Sequence, residues 1–183
     1  SLVSKKSNNQ SVEFALKSLK ISTNSFIPFL KDPNMKNATE MSIASNLAGK
    51  AINISKTTVP HAVSYPFTSL YNISHGHAVS LFFENFFKFN YDNLEKSETN
   101  FNLKKRFDLI FNLFDVKNID DFCSKIILIK EKANLEDNLS KLNINIKNDI
   151  DNIITGVNLL RLGNNPVRIN DKSILQVISN SDD

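Results

Sequence analysis

All three histidines of this 183-residue chain fall in one short segment, His61-Ala-Val-Ser-Tyr65-Pro66-Phe-Thr-Ser-Leu-Tyr-Asn-Ile-Ser-His75-Gly76-His77. An imidazole can ligate a metal through one ring nitrogen, exchange a proton near neutral pH, or serve as an ordinary hydrogen-bonded polar group. If His61 projects from a short helix and His75 from the start of the next, a tight connection through Pro66 brings both rings to one point. Two converging neutral imidazoles suit a divalent first-row ion such as zinc or ferrous iron. Two ligands alone hold a metal poorly, and no third stands out nearby. Spacing therefore leaves a second reading open, in which these are a helix-cap histidine and two satisfied polar residues.

The elements that must position these rings read as helices. Pro60 fits the first turn of the helix carrying His61, where a missing amide proton costs nothing, and Pro66 is expected to end or kink it soon afterwards. Upstream, Val12, Ala15, Leu16, Leu19, Phe26, Ile27 and Leu30 predict one long or broken helix over 10–31, stopped by Pro33. Asn37 and Thr39 are the expected caps of the next segment. Its stripe of mostly small residues, with Ala44, Ser45, Ala48 and Ala51, predicts a central, buried helix. Beyond His75 the run from Ala78 through Phe82, Phe83, Phe86, Phe87 and Phe89 is apolar nearly all round, as in a helix enclosed by neighbours. Residues 90–100 read as a polar loop. Further helices are expected at about 101–114, 119–132, 146–160 and 170–179, with Asn118 and Asn170 as caps. The sum is an all-α domain of seven to nine helices without repeats.

Composition narrows the classes. Apolar residues at 41 % and charged residues at 22 % are near globular averages, and no run is long enough for a membrane span. Four glycines, where average usage would supply about 13, leave few cheap positions for positive φ and make an all-β fold improbable. The abundant Asn, Lys and Ile read as a coding bias without functional weight. The 22 basic and 19 acidic residues nearly cancel, and the lysines are scattered, which argues against a nucleic-acid partner. No Gly-x-Gly-x-x-Gly or Walker-type loop is present to cradle a pyrophosphate. The single Cys123 suits a reducing cytoplasm. The start, Ser-Leu-Val-Ser-Lys-Lys, lacks the apolar stretch of a secretory signal.

Three stretches together resemble a known family. Gly49-Lys-Ala-Ile-Asn-Ile-Ser-Lys-Thr-Thr-Val-Pro-His61, then Tyr65-Pro66, then Ser74-His75-Gly76-His77-Ala78-Val79 resemble the C-terminal helical domain of iron-containing (group III) alcohol dehydrogenases. That fold is shared with dehydroquinate synthase and glycerol dehydrogenase, and the likeness runs down to Asn164-Asn-Pro-Val-Arg168. The resemblance implies that residues 1–183 form a single helical metal-binding domain, with His61 and His75 as metal ligands; Ser74 stands where the family usually has Pro. It implies two more ligands, an Asp and a His or Gln four positions on, in a helix preceding Ser1, and an N-terminal nucleotide-binding domain that this chain lacks. The chain alone is then expected to be inactive and to hold metal weakly.

By the same resemblance the whole enzyme uses Fe2+ or Zn2+ as a Lewis acid and NADH or NADPH as hydride source, acts on a small aldehyde or alcohol, and is compatible with a homodimer. Tyr65 stands where many relatives carry a further His near the substrate, so Tyr65 or His77 becomes the candidate proton donor. Lys56-Thr57-Thr58 resembles the phosphonoacetaldehyde reductase subgroup, in which an ammonium and two hydroxyls offer donors to a phosphonate. Arg168 is a further candidate anion contact. The alternatives are a reductase of another short aldehyde, in which Lys56 has no part, and a helical interaction module without metal.

Overall fold

The computed structural model describes residues 1–179 as an all-α domain. Its helices are α1 (Asn9–Lys31), α2 (Met35–Ser55), α3 (Val59–Tyr71), α4 (His75–Leu81), α5 (Phe83–Asp92), α6 (Leu103–Phe114), α7 (Ile119–Lys132), α8 (Ile146–Thr155), α9 (Leu159–Leu162) and α10 (Asp171–Ser179), with a 3-10 turn at Leu94–Lys96. Among the described residues the only β pairing is an isolated bridge between Ser97 and Val167. No described helix is long and apolar enough to cross a membrane.

Asparagine starts most of these helices. The side chains of Asn8, Asn34, Asn102, Asn118, Asn145 and Asn158 each accept the backbone N–H three residues on, at the head of α1, α2, α6, α7, α8 and α9. Asn170 does the same for α10, accepting from the Ser173 amide at 2.9 Å. Each satisfies a donor that the first helical turn would otherwise leave unpaired. Asn72, Asn134 and Asn143 also take positive φ, whereas none of the glycines does. The abundant asparagine is therefore not mere coding bias, since it supplies both the caps and the left-handed positions that a glycine-poor chain needs. Asn37 and Thr39 are not the caps of α2; they lie inside it, and Asn34 caps it instead.

Two apolar clusters build the interior. One gathers Val63 and Phe67 of α3, Phe82, Phe86 of α5, Ile153 of α8 and Ile174 of α10. The other gathers Phe87 of α5, Phe107 and Phe111 of α6, and Phe122 of α7, with Ala15 and Ala51 from α1 and α2. Helix α5 runs between them, Phe86 facing one and Phe87 the other, which accounts for its apolar surface all round. The buried ion pair of Lys130 with Glu84, 2.6 Å apart, ties α5 to α7.

The described helices outnumber the expectation because two apolar runs are interrupted. The run after His75 breaks at Phe82, whose backbone leaves the helical region (φ −122°, ψ 15°) while its ring packs 4.9 Å from that of Phe67. The segment expected as one helix over 146–160 turns at Gly156. Helix α2 is not central. Only Ala44, Ala51 and Ser55 are buried in it, because its small residues serve a hairpin with α1 whose outer side faces solvent.

Pro66 neither ends nor breaks α3, which continues to Tyr71. Proline has no N–H to give the carbonyl four residues back. That carbonyl, of Ala62, instead accepts the backbone N–H of Asn158 at 3.1 Å. The chain can come this close because Gly156 has no side chain: a Cβ there would lie 2.9 Å from Pro66 Cβ and 3.0 Å from the Asn152 carbonyl oxygen. Gly156→Ala is therefore expected to destabilise the fold by about 1–3 kcal/mol through overpacking against the proline ring, read as a lower midpoint in urea denaturation with an unchanged slope.

Candidate metal and substrate site

His61 sits in the first turn of α3, entered through Pro60, and His75 is the first residue of α4. The left-handed Asn72 (φ 53°) ends α3 and turns the chain so that the two elements meet. The imidazole centroids of His61 and His75 are 5.6 Å apart, edge to face. Two imidazoles bound through ring nitrogens to one tetrahedral ion would have centroids about 5.3 Å apart, given metal–nitrogen bonds of roughly 2.0–2.1 Å. The pair therefore fits a single cation. Among the described residues no set of three or more His, Cys, Asp or Glu side chains converges on one point.

The hydrogen bonds around His75 leave one nitrogen free. Ser64, one turn after His61, donates its hydroxyl proton to the His61 carbonyl at 2.9 Å. Its oxygen also lies 3.3 Å from His75 Nδ1. A hydroxyl has one proton; with it on the His61 carbonyl, His75 Nδ1–H would donate to Ser64 and Nε2 would keep the lone pair that a metal takes. His61 is also held neutral. Burial first, then electrostatic coupling to His75, to the amino terminus and to Arg161, push its pKa down from 6.5 to about 4. On its inner side lies a largely apolar cavity of about 390 Å3, to which Thr57, Thr58 and Asn90 bring polar atoms.

Tyr65 packs against this pair, its ring 5.5 Å from that of His75. Its oxygen accepts Nε–H of Arg161 at 2.7 Å, and the guanidinium carbon lies 5.5 Å from the phenol ring. Arg161 also donates from Nη1 to Thr57 Oγ1 at 2.7 Å. The Asn164 side-chain amide holds the Thr57 carbonyl at 3.2 Å. His61, Ser64 and Tyr65 share one face of α3, as residues three and four apart must.

The profile of the Fe-containing alcohol dehydrogenase family, C-terminal, matches residues 1–181. The chain belongs to the iron-containing alcohol dehydrogenase family. Solved structures show the same fold. An alcohol dehydrogenase from an archaeal halo-thermophile of a Red Sea brine pool, bound to NZQ, superposes with a TM-score of 0.85 at 21 % identity, over 98 % of this chain and 46 % of that one. A sulfoacetaldehyde reductase from Bifidobacterium kashiwanohense in complex with NAD+ gives 0.82 at 23 % identity, over 98 % and 45 %. An alcohol dehydrogenase from Oenococcus oeni gives 0.83 at 17 %, over 98 % and 47 %. The chain thus spans less than half the length of these structures. No curated protein sequence matches it.

The remaining candidates of this family member are not all brought to the histidine pair. Thr57 and Thr58 are buried beside it; Thr58 occupies the N-cap position of α3 without a side-chain capping bond. His77 is engaged elsewhere, its Nε2 bonded to the Glu136 carbonyl. Lys56 is exposed, and its ammonium donates to the Asn53 carbonyl at 2.7 Å. Arg168 is exposed and contributes positive charge at Glu98, which pairs with Lys5. The sequence reading missed Arg161 and Ser64. Arginine is rare in this chain, three against 19 lysines, and that scarcity was the available signal for Arg161. Ser64 was marked only by its position one turn after His61.

Lys56 has a backbone cost of its own. It closes α2 at φ 60°, ψ −173°, a region that side chains other than glycine rarely enter. Lys56→Gly is expected to raise stability by about 1 kcal/mol, the relieved strain exceeding the extra freedom of the unfolded chain, measured as a higher thermal midpoint.

Proposed function

We propose that this chain is the metal-binding part of an NAD(P)H-dependent alcohol dehydrogenase or aldehyde reductase, with His61 and His75 as two ligands of an Fe2+ or Zn2+ ion. The observation that carries the reading is the 5.6 Å separation of the two rings, which fits one shared cation. The remaining ligands and most of the nicotinamide site are assigned to residues outside this chain. When bound, the metal and the nicotinamide supply carbonyl polarisation and hydride.

The chain's own residues bind, orient and move a proton. Ser64 fixes the ring of His75 through Nδ1, and burial keeps His61 neutral and able to ligate. Tyr65 is the proton donor in this reading. Arg161 can only donate, so the phenol oxygen accepts from it, and no described residue takes the phenol's own proton, which is left to serve a substrate oxygen. His77, committed to the Glu136 carbonyl, has a structural part. Among short aldehydes we take phosphonoacetaldehyde, reduced to 2-hydroxyethylphosphonate, as the substrate. Support comes from Thr57 and Thr58 beside His61, and from a sulfoacetaldehyde reductase among the structural relatives. The free thiol of Cys123 is in keeping with a cytoplasmic enzyme.

In the full-length protein, His61→Ala and His75→Ala are each expected to strip the bound metal, measured by elemental analysis. Ser64→Ala is expected to weaken metal affinity about 10–100-fold. Unchanged metal content in both histidine variants would replace this reading with that of a non-catalytic helical module. Tyr65→Phe is expected to lower kcat by about 100-fold with metal content intact; steady-state kinetics with matched metal analysis checks it.

A further inference from the structure

Arg161 is a partly buried cation without a counter-charge. Its two bonds go to neutral oxygens, Tyr65 Oη and Thr57 Oγ1. The buried Lys130, by contrast, has Glu84 at 2.6 Å. Among the described residues no carboxylate lies within ion-pair distance of the Arg161 guanidinium, and three of its five N–H donors have no partner. Its position is tightly held. Asn158 Oδ1 accepts the Arg161 amide at 3.0 Å, and the Asn158 amide is itself bonded to the Ala62 carbonyl. A fixed, planar, unpaired guanidinium is suited to receive a carboxylate, sulfonate or phosphonate through two parallel bonds.

Its distance from the histidines limits what can bridge them. The Tyr65 ring lies 5.5 Å from the His75 ring and 5.5 Å from the Arg161 guanidinium carbon, so the last two are at most 11.0 Å apart. After allowance for contact distances at both ends, nothing longer than a two- or three-carbon molecule is needed to bridge them. We infer that Arg161 is the anchor for the anionic end of a short bifunctional aldehyde whose carbonyl end lies at His61, His75 and Tyr65. The inference rests on the reductase reading above and adds the charge class of the substrate and the residue that selects it. Neither Lys56 nor Arg168 has this part, one being bonded to the Asn53 carbonyl and the other placed beside Glu98.

The test compares phosphonoacetaldehyde with propionaldehyde in full-length, metal-loaded enzyme, as wild type, Arg161→Gln and Arg161→Lys. The ratio of kcat/KM for the anionic over the neutral aldehyde is expected to fall about 10- to 100-fold in Arg161→Gln, and less in Arg161→Lys, which keeps the charge but not the fork. Calorimetric binding of 2-hydroxyethylphosphonate is expected to weaken in the same order. Equal losses on both aldehydes, leaving the ratio unchanged, would mark Arg161 as a support for Tyr65 alone and overturn the anchor. So would a wild-type preference for propionaldehyde, or a rise in KM confined to the nicotinamide cofactor, which would assign the guanidinium to a cofactor phosphate. Reduction of neither aldehyde by the wild type would overturn the reductase reading and the anchor together.

Discussion

The site depends on one absent hydrogen. Pro66 cannot donate to the Ala62 carbonyl, and inside a helix such a gap ordinarily costs about 3 kcal/mol and bends or ends the element. Here the Asn158 amide enters from a distant part of the chain and fills it at 3.1 Å. A local defect in α3 becomes a long-range link between α3 and the start of α9. Gly156 permits the approach, since any side chain at that position meets the proline ring. Arg161, one turn beyond Asn158, then lies against Tyr65, the residue immediately before the proline. The same proline thus keeps α3 open to a bond and determines what stands beside its neighbour.

The histidine pair is set from the other end of α3. Pro60 opens the helix and Asn72 closes it in a left-handed turn, so that His61 in the first turn and His75 at the head of α4 face each other across Ser64. One hydroxyl serves both, donating to the His61 carbonyl and accepting from the His75 ring. Helical periodicity brings His61, Ser64 and Tyr65 onto a common face. Ser64 thereby couples the His75 ring to the backbone that carries His61.

This division explains what was legible in the sequence. The all-α class follows from apolar periodicity, and the two histidine rings do meet, but the turn expected at Pro66 is made by the left-handed Asn72. The survival of α3 past Pro66 is not legible there, because it turns on a bond from residue 158 that no local pattern announces. The break at Phe82 is likewise set by packing on Phe67, and the solvent-facing side of α2 by its partner in the hairpin. Lys56 stood near His61 in sequence and was drawn into the candidate site. Its positive φ sends the side chain back along α2 instead. Arg161, nearly a hundred residues from Tyr65, is the converse case: remote in sequence, and joined to the site by two hydrogen bonds.

Charge is the remaining constraint, and it binds the two halves of the site together. Burial, His75 and the amino terminus do most to keep His61 neutral, and the Arg161 guanidinium, which has no carboxylate partner, adds to them. A neutral imidazole is the form that ligates, so Arg161 discourages a proton at His61 while also repelling a cation placed there. With the proposed metal bound, an anion placed between it and the guanidinium would offset both effects. Such an anion would complete the electrostatic balance of a site in which the described residues contribute two imidazoles, a phenol, a hydroxyl and one positive charge with no carboxylate partner.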